Sequence, residues 1–180
     1  MALCEKILLV GFSGSGKSTF LRELQNSSPG SWDVFSDLDQ IILKKYGSGK
    51  KVLADLIESV GWETFRKWES EEIVHWLAQD HKGVLALGGG SLTQGLLDFY
   101  APSPKVAFCY LYSPFETCIK RLEADADEPR PLLQRGRGEL EKIYRERQEI
   151  FDQVPWKISN LEASSPALLA TEFWSKVCVS

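Results

Sequence analysis

The sequence predicts an α/β fold in three layers, a parallel sheet with helices on both faces. Two observations carry that prediction. The first is the stretch from Lys6 to Leu24, KILLVGFSGSGKSTFLREL, in which a short apolar run turns through glycines into a helix-forming segment. The second is the pattern that follows, in which short apolar runs alternate with segments of helical period, the signature of strands joined by crossover helices. With 180 residues the chain is one domain by size, long enough to bury roughly two-thirds of the surface its unfolded form exposes.

Ile7 to Val10 is the first strand, and Gly11 to Ser18 completes a Walker A pattern directly after it. Glycines at 11, 14 and 16 let successive amide N–H groups converge on phosphate oxygens at the positive end of the next helix. Lys17 is expected to reach the β- and γ-phosphates as a point charge, and the Ser18 hydroxyl to meet the Mg²⁺ that bridges them. Ser15 lies inside the loop and Thr19 continues into a helix that Ser27, Ser28, Pro29 and Gly30 end.

Asp33 to Ser36 reads as the second strand, with Asp37 and Asp39 at its carboxyl end. Two readings of that acidic pair stand side by side. It caps the following helix, or it holds a Mg²⁺-bound water and accepts a proton from a substrate hydroxyl beside the phosphate loop. Gly47, Ser48 and Gly49 interrupt the helical pattern, Lys50 to Val60 restarts it, and Gly61 to Asp80 forms a long amphipathic helix. Its aromatics, Trp62, Phe65 and Trp76, are expected in the core. Arg66 and Glu69 are i,i+3 neighbours: a surface ion pair, or a carboxylate that holds a guanidinium ready to fork onto an anion.

Gly83 to Leu87 is the third strand and runs into Gly88, Gly89 and Gly90, either a plain turn or a surface where substrate meets backbone N–H groups. Lys105 to Tyr112 is the fourth, followed by a helix from Pro114 to Glu123. Residues 124 to 138, charged and punctuated by proline and glycine, form a solvated connection or a lid that brings an arginine to the transferring phosphoryl group. Arg145 and Arg147 sit two residues apart on the next helix, so at most one of them faces the site. Trp156 to Ser159 is the last strand and Pro166 opens the closing helix.

Composition narrows the function. The formal charge is 21 minus 25, or −4, which argues against a nucleic-acid or membrane-surface binder. No run reaches transmembrane length and Glu5 interrupts any signal-peptide core, so the protein is expected in the cytoplasm. Cys4, Cys109, Cys118 and Cys178 lack paired CxxC spacing, and His75 and His81 have no ligand cluster beside them. Neither a transition-metal site nor a serine or cysteine triad is expected.

In this order the pieces resemble the shikimate kinases over nearly the whole chain: GFSGSGKST at 11 to 19, DLD at 37 to 39, GWETFRKWE at 61 to 69, GGG at 88 to 90, RPLL at 130 to 133 and RERQEIF at 145 to 151. The resemblance implies a nucleoside-monophosphate-kinase-like P-loop fold with a five-stranded parallel sheet, a helical substrate-binding region at 39 to 80 and a mobile lid at 124 to 138. It implies transfer of the ATP γ-phosphoryl group to the 3-hydroxyl of shikimate, on the route to chorismate, by a monomer. By the same resemblance Asp39 binds the shikimate hydroxyls and acts as base or orienter, Asp37 holds water on Mg²⁺, and Ser18 ligates the metal directly. Arg66 and Arg147 clamp the shikimate carboxylate, Gly88, Gly89 and Gly90 line its ring, Glu69 orients Arg66, Arg130 approaches the phosphates and Arg121 stacks near adenine. A gluconate-type kinase and a catalytically inactive nucleotide-binding scaffold are the rival readings. Two departures stand out: Phe151 replaces a common tyrosine, and the loop from Ser159 to Pro166 looks slightly long and is read as lacking an acidic residue often seen there.

Overall fold

A computed structural model describes residues 4–124 and 136–178. Its strands are β1 (Lys6–Val10), β2 (Val34–Asp37), β3 (Gly83–Ala86), β4 (Val106–Tyr112) and β5 (Trp156–Ser159). The helices are α1 (Lys17–Asn26), α2 (Leu38–Tyr46), α3 (Leu53–Ala78), α4 (Gln94–Tyr100), α5 (Phe115–Ala124), α6 (Arg137–Phe151) and α7 (Pro166–Cys178). The sheet runs β2-β3-β1-β4-β5 with every pairing parallel. Because the strands are parallel, the carboxyl ends of β1, β2 and β3 all open on one edge, and strand order reverses at β1, where a crevice forms.

Alternation along β1 divides the core. Ile7 and Leu9 join Phe20, Leu21 and Leu24 of α1 and Ala170 and Phe173 of α7 on one face. Leu8 and Val10 join Ile42 of α2, Phe65 and Ile73 of α3, and Tyr144 and Phe151 of α6 on the other. The helices on both faces and the five parallel strands agree with the sequence reading.

Two local features differ from it. Helix α4 was not anticipated; it is seven residues long with Leu97 its one buried side chain, too little to print a period, and its signal is Thr93, whose hydroxyl accepts from Leu96 N at 3.2 Å. The second is Trp62. Gly61, at φ 80° and ψ 159°, is non-helical and kinks α3, so that Trp62 opens the second helical run. Phe65 and Trp76 are buried as expected, but Trp62 is 38% exposed and lines a cavity instead of the core.

Candidate active site

The phosphate loop spans the end of β1 and the start of α1. Gly14 and Gly16 have φ of 79° and 92°, and both are also crowded: a Cβ would lie 2.4 Å from the Cys118 carbonyl oxygen at Gly14 and 2.6 Å from Asn160 Nδ2 at Gly16. Lys17 is buried and its Nζ donates to the carbonyls of Gly11 and Phe12 at 2.8 and 2.9 Å. Burial pushes its pKa down to about 8, against the pull of Asp39 and Asp37. The ammonium is thus held over the loop with few competing partners.

Behind the loop, three side chains converge on the Ser15 carbonyl: Asn160 Nδ2 donates at 2.8 Å, Ser113 Oγ at 3.2 Å and Arg121 Nη1 at 3.3 Å. Ser113 Oγ also receives a hydrogen bond from Arg121 Nη1 at 3.2 Å, and Arg121 Nη2 reaches Leu161 O at 3.5 Å. Arg121 therefore stands between the phosphate loop and the loop after β5. Sequence reasoning missed Ser113 and Asn160, since nothing local marks residues 98 and 145 positions away from their partner.

Asp37, at the end of β2, does two things. One carboxylate oxygen caps α2 by accepting from Asp39 N at 3.0 Å, and the other accepts from Ser18 Oγ at 2.7 Å. Capping and proximity to the nucleotide loop are thus compatible. Asp39, the second residue of α2, is carried into the crevice, where burial first, then the charges of Asp37 and Glu69, push its pKa up to about 7; Lys17 and Arg66 oppose the shift.

A cavity of about 350 Å³ is lined by Asp39, Trp62, Arg66, Glu69, Gly88, Gly89, Gly90 and Arg147, and by the apolar Val52, Leu53 and Ile57. Arg66 pairs with buried Glu69, and Glu69 accepts a second hydrogen bond from buried Ser91, a residue the sequence reading did not single out. Arg147 donates to the Gly89 carbonyl. A Cβ at Gly90 would lie 2.5 Å from an Arg147 nitrogen and 2.6 Å from one of Arg66, so the glycine is what lets both guanidinium groups approach that backbone. Arg145 points away and pairs with Glu141 at 2.6 Å, as the two-residue step requires.

A second cavity, of about 620 Å³, is lined by Gly14, Gly16, Lys17, Ser18, Thr19 and Arg121. The two cavities share Ser13, Ser18, Asp37, Asp39, Gly89 and Leu122, and so meet at the acidic pair. Gly11 and Ser15, both buried members of the loop, line neither. Arg130, RPLL and residues 125 to 135 of the anticipated lid lie outside the described residues.

The two departures resolve differently. Phe151 is buried and stacks on Tyr110 at 5.0 Å, so packing without a hydroxyl suffices there. The reading of the loop after β5 is corrected: Glu162 lies in it, exposed and paired with Lys120.

The family model described as shikimate kinase matches residues 13–178. The chain is similar to shikimate kinase of Helicobacter hepaticus, 34% identical over 163 residues and 89% of each chain, and to that of Persephonella marina, 30% identical over 95% of this chain and 98% of the other. A solved shikimate kinase of Acinetobacter baumannii in complex with shikimate superposes with a TM-score of 0.80 at 26% identity, covering 98% of this chain and 94% of that one.

Proposed function

The chain belongs to the shikimate kinase family, and from that premise we propose the residue roles by which it transfers the γ-phosphoryl group of ATP to the 3-hydroxyl of shikimate. The observation that carries the reading is the meeting of two cavities at Asp39, one floored by a buried lysine and glycine amides, the other holding two guanidinium groups. A small polyhydroxylated carboxylate needs forked donors for its carboxylate and acceptors for its hydroxyls, and that is the chemistry of the smaller cavity.

Shikimate lies with its carboxylate on Arg66 and Arg147 and its ring against Gly88, Gly89 and Gly90, with the region from Asp39 to Asp80 supplying Asp39 and Arg66. Asp39 accepts the proton of the attacking hydroxyl as the bond from its oxygen to the γ-phosphorus forms and the bond from that phosphorus to the ADP oxygen breaks. Lys17 and the loop amides stabilise charge on the phosphate oxygens, and Arg121 stands at the adenine side. Most of the rate comes from positioning and fixed positive charge.

Ser18 Oγ and the Asp37 carboxylate, 2.7 Å apart, offer only hard oxygen donors. That suits Mg²⁺, which keeps several waters and takes its other ligands from substrate phosphates; among the described residues no cluster of three or more His, Cys, Asp or Glu side chains forms a cage of its own. Ser18 would hold the ion directly and Asp37 through water; when bound it neutralises charge on the β- and γ-phosphate oxygens. We place the reaction in the cytoplasm, carried out by a monomer on small molecules. The net charge of −4 argues against nucleic acid or an acidic membrane surface as a partner, and no described helix is long and apolar enough to cross a membrane.

The test is ADP release with ATP, Mg²⁺ and shikimate, set against controls without acceptor and with gluconate. Shikimate-dependent release is expected; turnover of gluconate alone would move the acceptor to the sugar acids. Arg66→Lys replaces a planar fork by a point charge and is expected to raise KM for shikimate about tenfold or more. An effect confined to ATP would place the Arg66 guanidinium outside the acceptor site.

A further inference from the structure

We propose that Phe12 and Tyr144, which line neither cavity, are positioning residues that hold the Arg147 guanidinium to the phosphate loop, so that the acceptor clamp follows the state of that loop. The inference rests on the shikimate reading and deepens it. Phe12 is the second residue of the phosphate loop and is 2% exposed. Its carbonyl accepts from Lys17 Nζ at 2.9 Å and from Ser15 N at 3.1 Å. Its ring faces the acceptor side: the Arg147 guanidinium carbon lies 5.7 Å from the ring centre, and the Tyr144 ring meets it edge to face at 5.1 Å. One residue therefore touches the lysine of one site through its backbone and the arginine of the other through its side chain.

The fold explains how Tyr144 comes to share this contact. Because β1 and β4 pair in parallel, the chain leaves both strands at the same edge of the sheet, into Phe12 after one and Ser113 after the other. Tyr144 and Arg147 are three residues apart on α6, the spacing that brings side chains together on one helix face. The buried Tyr144 ring also meets Phe115 of α5 at 5.4 Å, and its Oη donates to the Ser113 carbonyl at 2.8 Å. Ser113 Oγ in turn donates to the Ser15 carbonyl at 3.2 Å. Helix α6 is thus fastened to the phosphate loop twice, by ring contact at Phe12 and through Ser113 at Ser15. A buried phenol needs a partner for its hydroxyl, and burial pushes its pKa up, so the Tyr144 donor persists at neutral pH.

Neither ring lines a cavity, so what the pair contributes is order. Nucleotide phosphates that engage Lys17 and the loop amides fix the backbone at Phe12, and its ring then gives Arg147 a fixed backing. A rotamer-rich arginine fixed beforehand loses less freedom when it takes up a carboxylate. Linkage makes the effect mutual, since an acceptor that steadies Arg147 favours nucleotide by the same factor. Leucine would fill much of the same volume at Phe12 but offers the guanidinium no π face.

The experiment measures Kd for shikimate by titration calorimetry, with the chain free and then saturated with Mg²⁺ and ADP, in the unsubstituted chain and in Phe12→Leu, Tyr144→Leu and Tyr144→Phe. In the unsubstituted chain ADP is expected to tighten shikimate binding about 5-fold or more. Each leucine variant is expected to bring that ratio to about 2 or below. The two substitutions reach the contact from opposite sides, so one suffices if the other does not fold. Tyr144→Phe keeps the ring against Phe12 and is expected to retain most of the ratio. Melting curves run alongside: a merely structural role would lower the melting temperature and leave the ratio, and that outcome overturns the proposal. So does an unsubstituted chain in which ADP leaves shikimate affinity unchanged, or Tyr144→Phe behaving like Tyr144→Leu; the shikimate reading survives all three. Shikimate that binds the unsubstituted chain in neither state overturns that reading and, with it, this inference.

Discussion

Asp39→Asn is expected to lower kcat about 10²- to 10⁴-fold, the range that positioned general bases contribute, with a smaller change in KM for shikimate. The substitution keeps size and one acceptor oxygen but removes the group that takes the proton. Asp39, pushed up to about 7 by burial and by Asp37 and Glu69, is ionised only in part at neutral pH. The rate with the unsubstituted chain should therefore climb as pH rises toward 7 and fall again above about 8 as Lys17 loses its charge, and the acid limb should be missing from the variant. Unchanged kcat and KM in Asp39→Asn would remove Asp39 from the site.

The same group makes a stability prediction with a definite sign. A carboxyl near 3.8 when unfolded and near 7 when folded binds its proton more tightly in the folded state, so ionising it costs folding free energy. That cost is absent below about pH 4, grows through the window up to about 7, and is fully present above it. Asp39→Asn should consequently melt several degrees higher than the unsubstituted chain at pH 8, with ~1 kcal/mol worth about 2–4 °C at this size, and the gap should close toward pH 4. Thermal denaturation across pH reads this directly. A gap that does not vary with pH would mean that Asp39 is not held up. An inactive but more stable variant is the pattern expected where a site stores electrostatic strain for function.

Lys17→Met is expected to lower kcat about 10³-fold or more while leaving KM for shikimate within a few-fold. Methionine keeps the length and apolar stem that the buried position accepts, but brings no charge to the phosphates. The structure holds Nζ on the Gly11 and Phe12 carbonyls, already over the loop that cradles them, so little reorganisation separates the free enzyme from the working geometry. Single-turnover measurement separates chemistry from binding here. Turnover near that of the unsubstituted chain would refute the role of Lys17.

Much of the fold was legible because its causes are local. Ile7 to Val10, the three loop glycines and the helix after them are consecutive, so their periods could be read in one window. The step of Arg145 and Arg147 was legible for the same reason, since helix geometry alone forbids both from facing the site. Helix α4 escaped because one buried leucine in seven residues leaves no pattern to read. Trp62 was misplaced because it lies four and seven residues before Arg66 and Glu69, on the helix face that lines the cavity.

The sequence by itself determined the strand and helix order and the phosphate loop with Lys17 and Ser18, which follow from residue type and short-range spacing, and through its resemblance to the shikimate kinases it offered Asp39, Arg66 and Arg147 as candidates. Only the tertiary structure decided which reading of each held a place in the crevice. It carried Gly90 between two guanidinium groups, set Ser91 on Glu69 and Trp62 over Arg66, and drew Ser113, Arg121 and Asn160 onto the carbonyl of Ser15. The physical reason is chain separation: the parallel sheet brings to one edge the ends of strands far apart in sequence, and a hydrogen bond spanning 145 residues leaves no trace in the spacing around either partner.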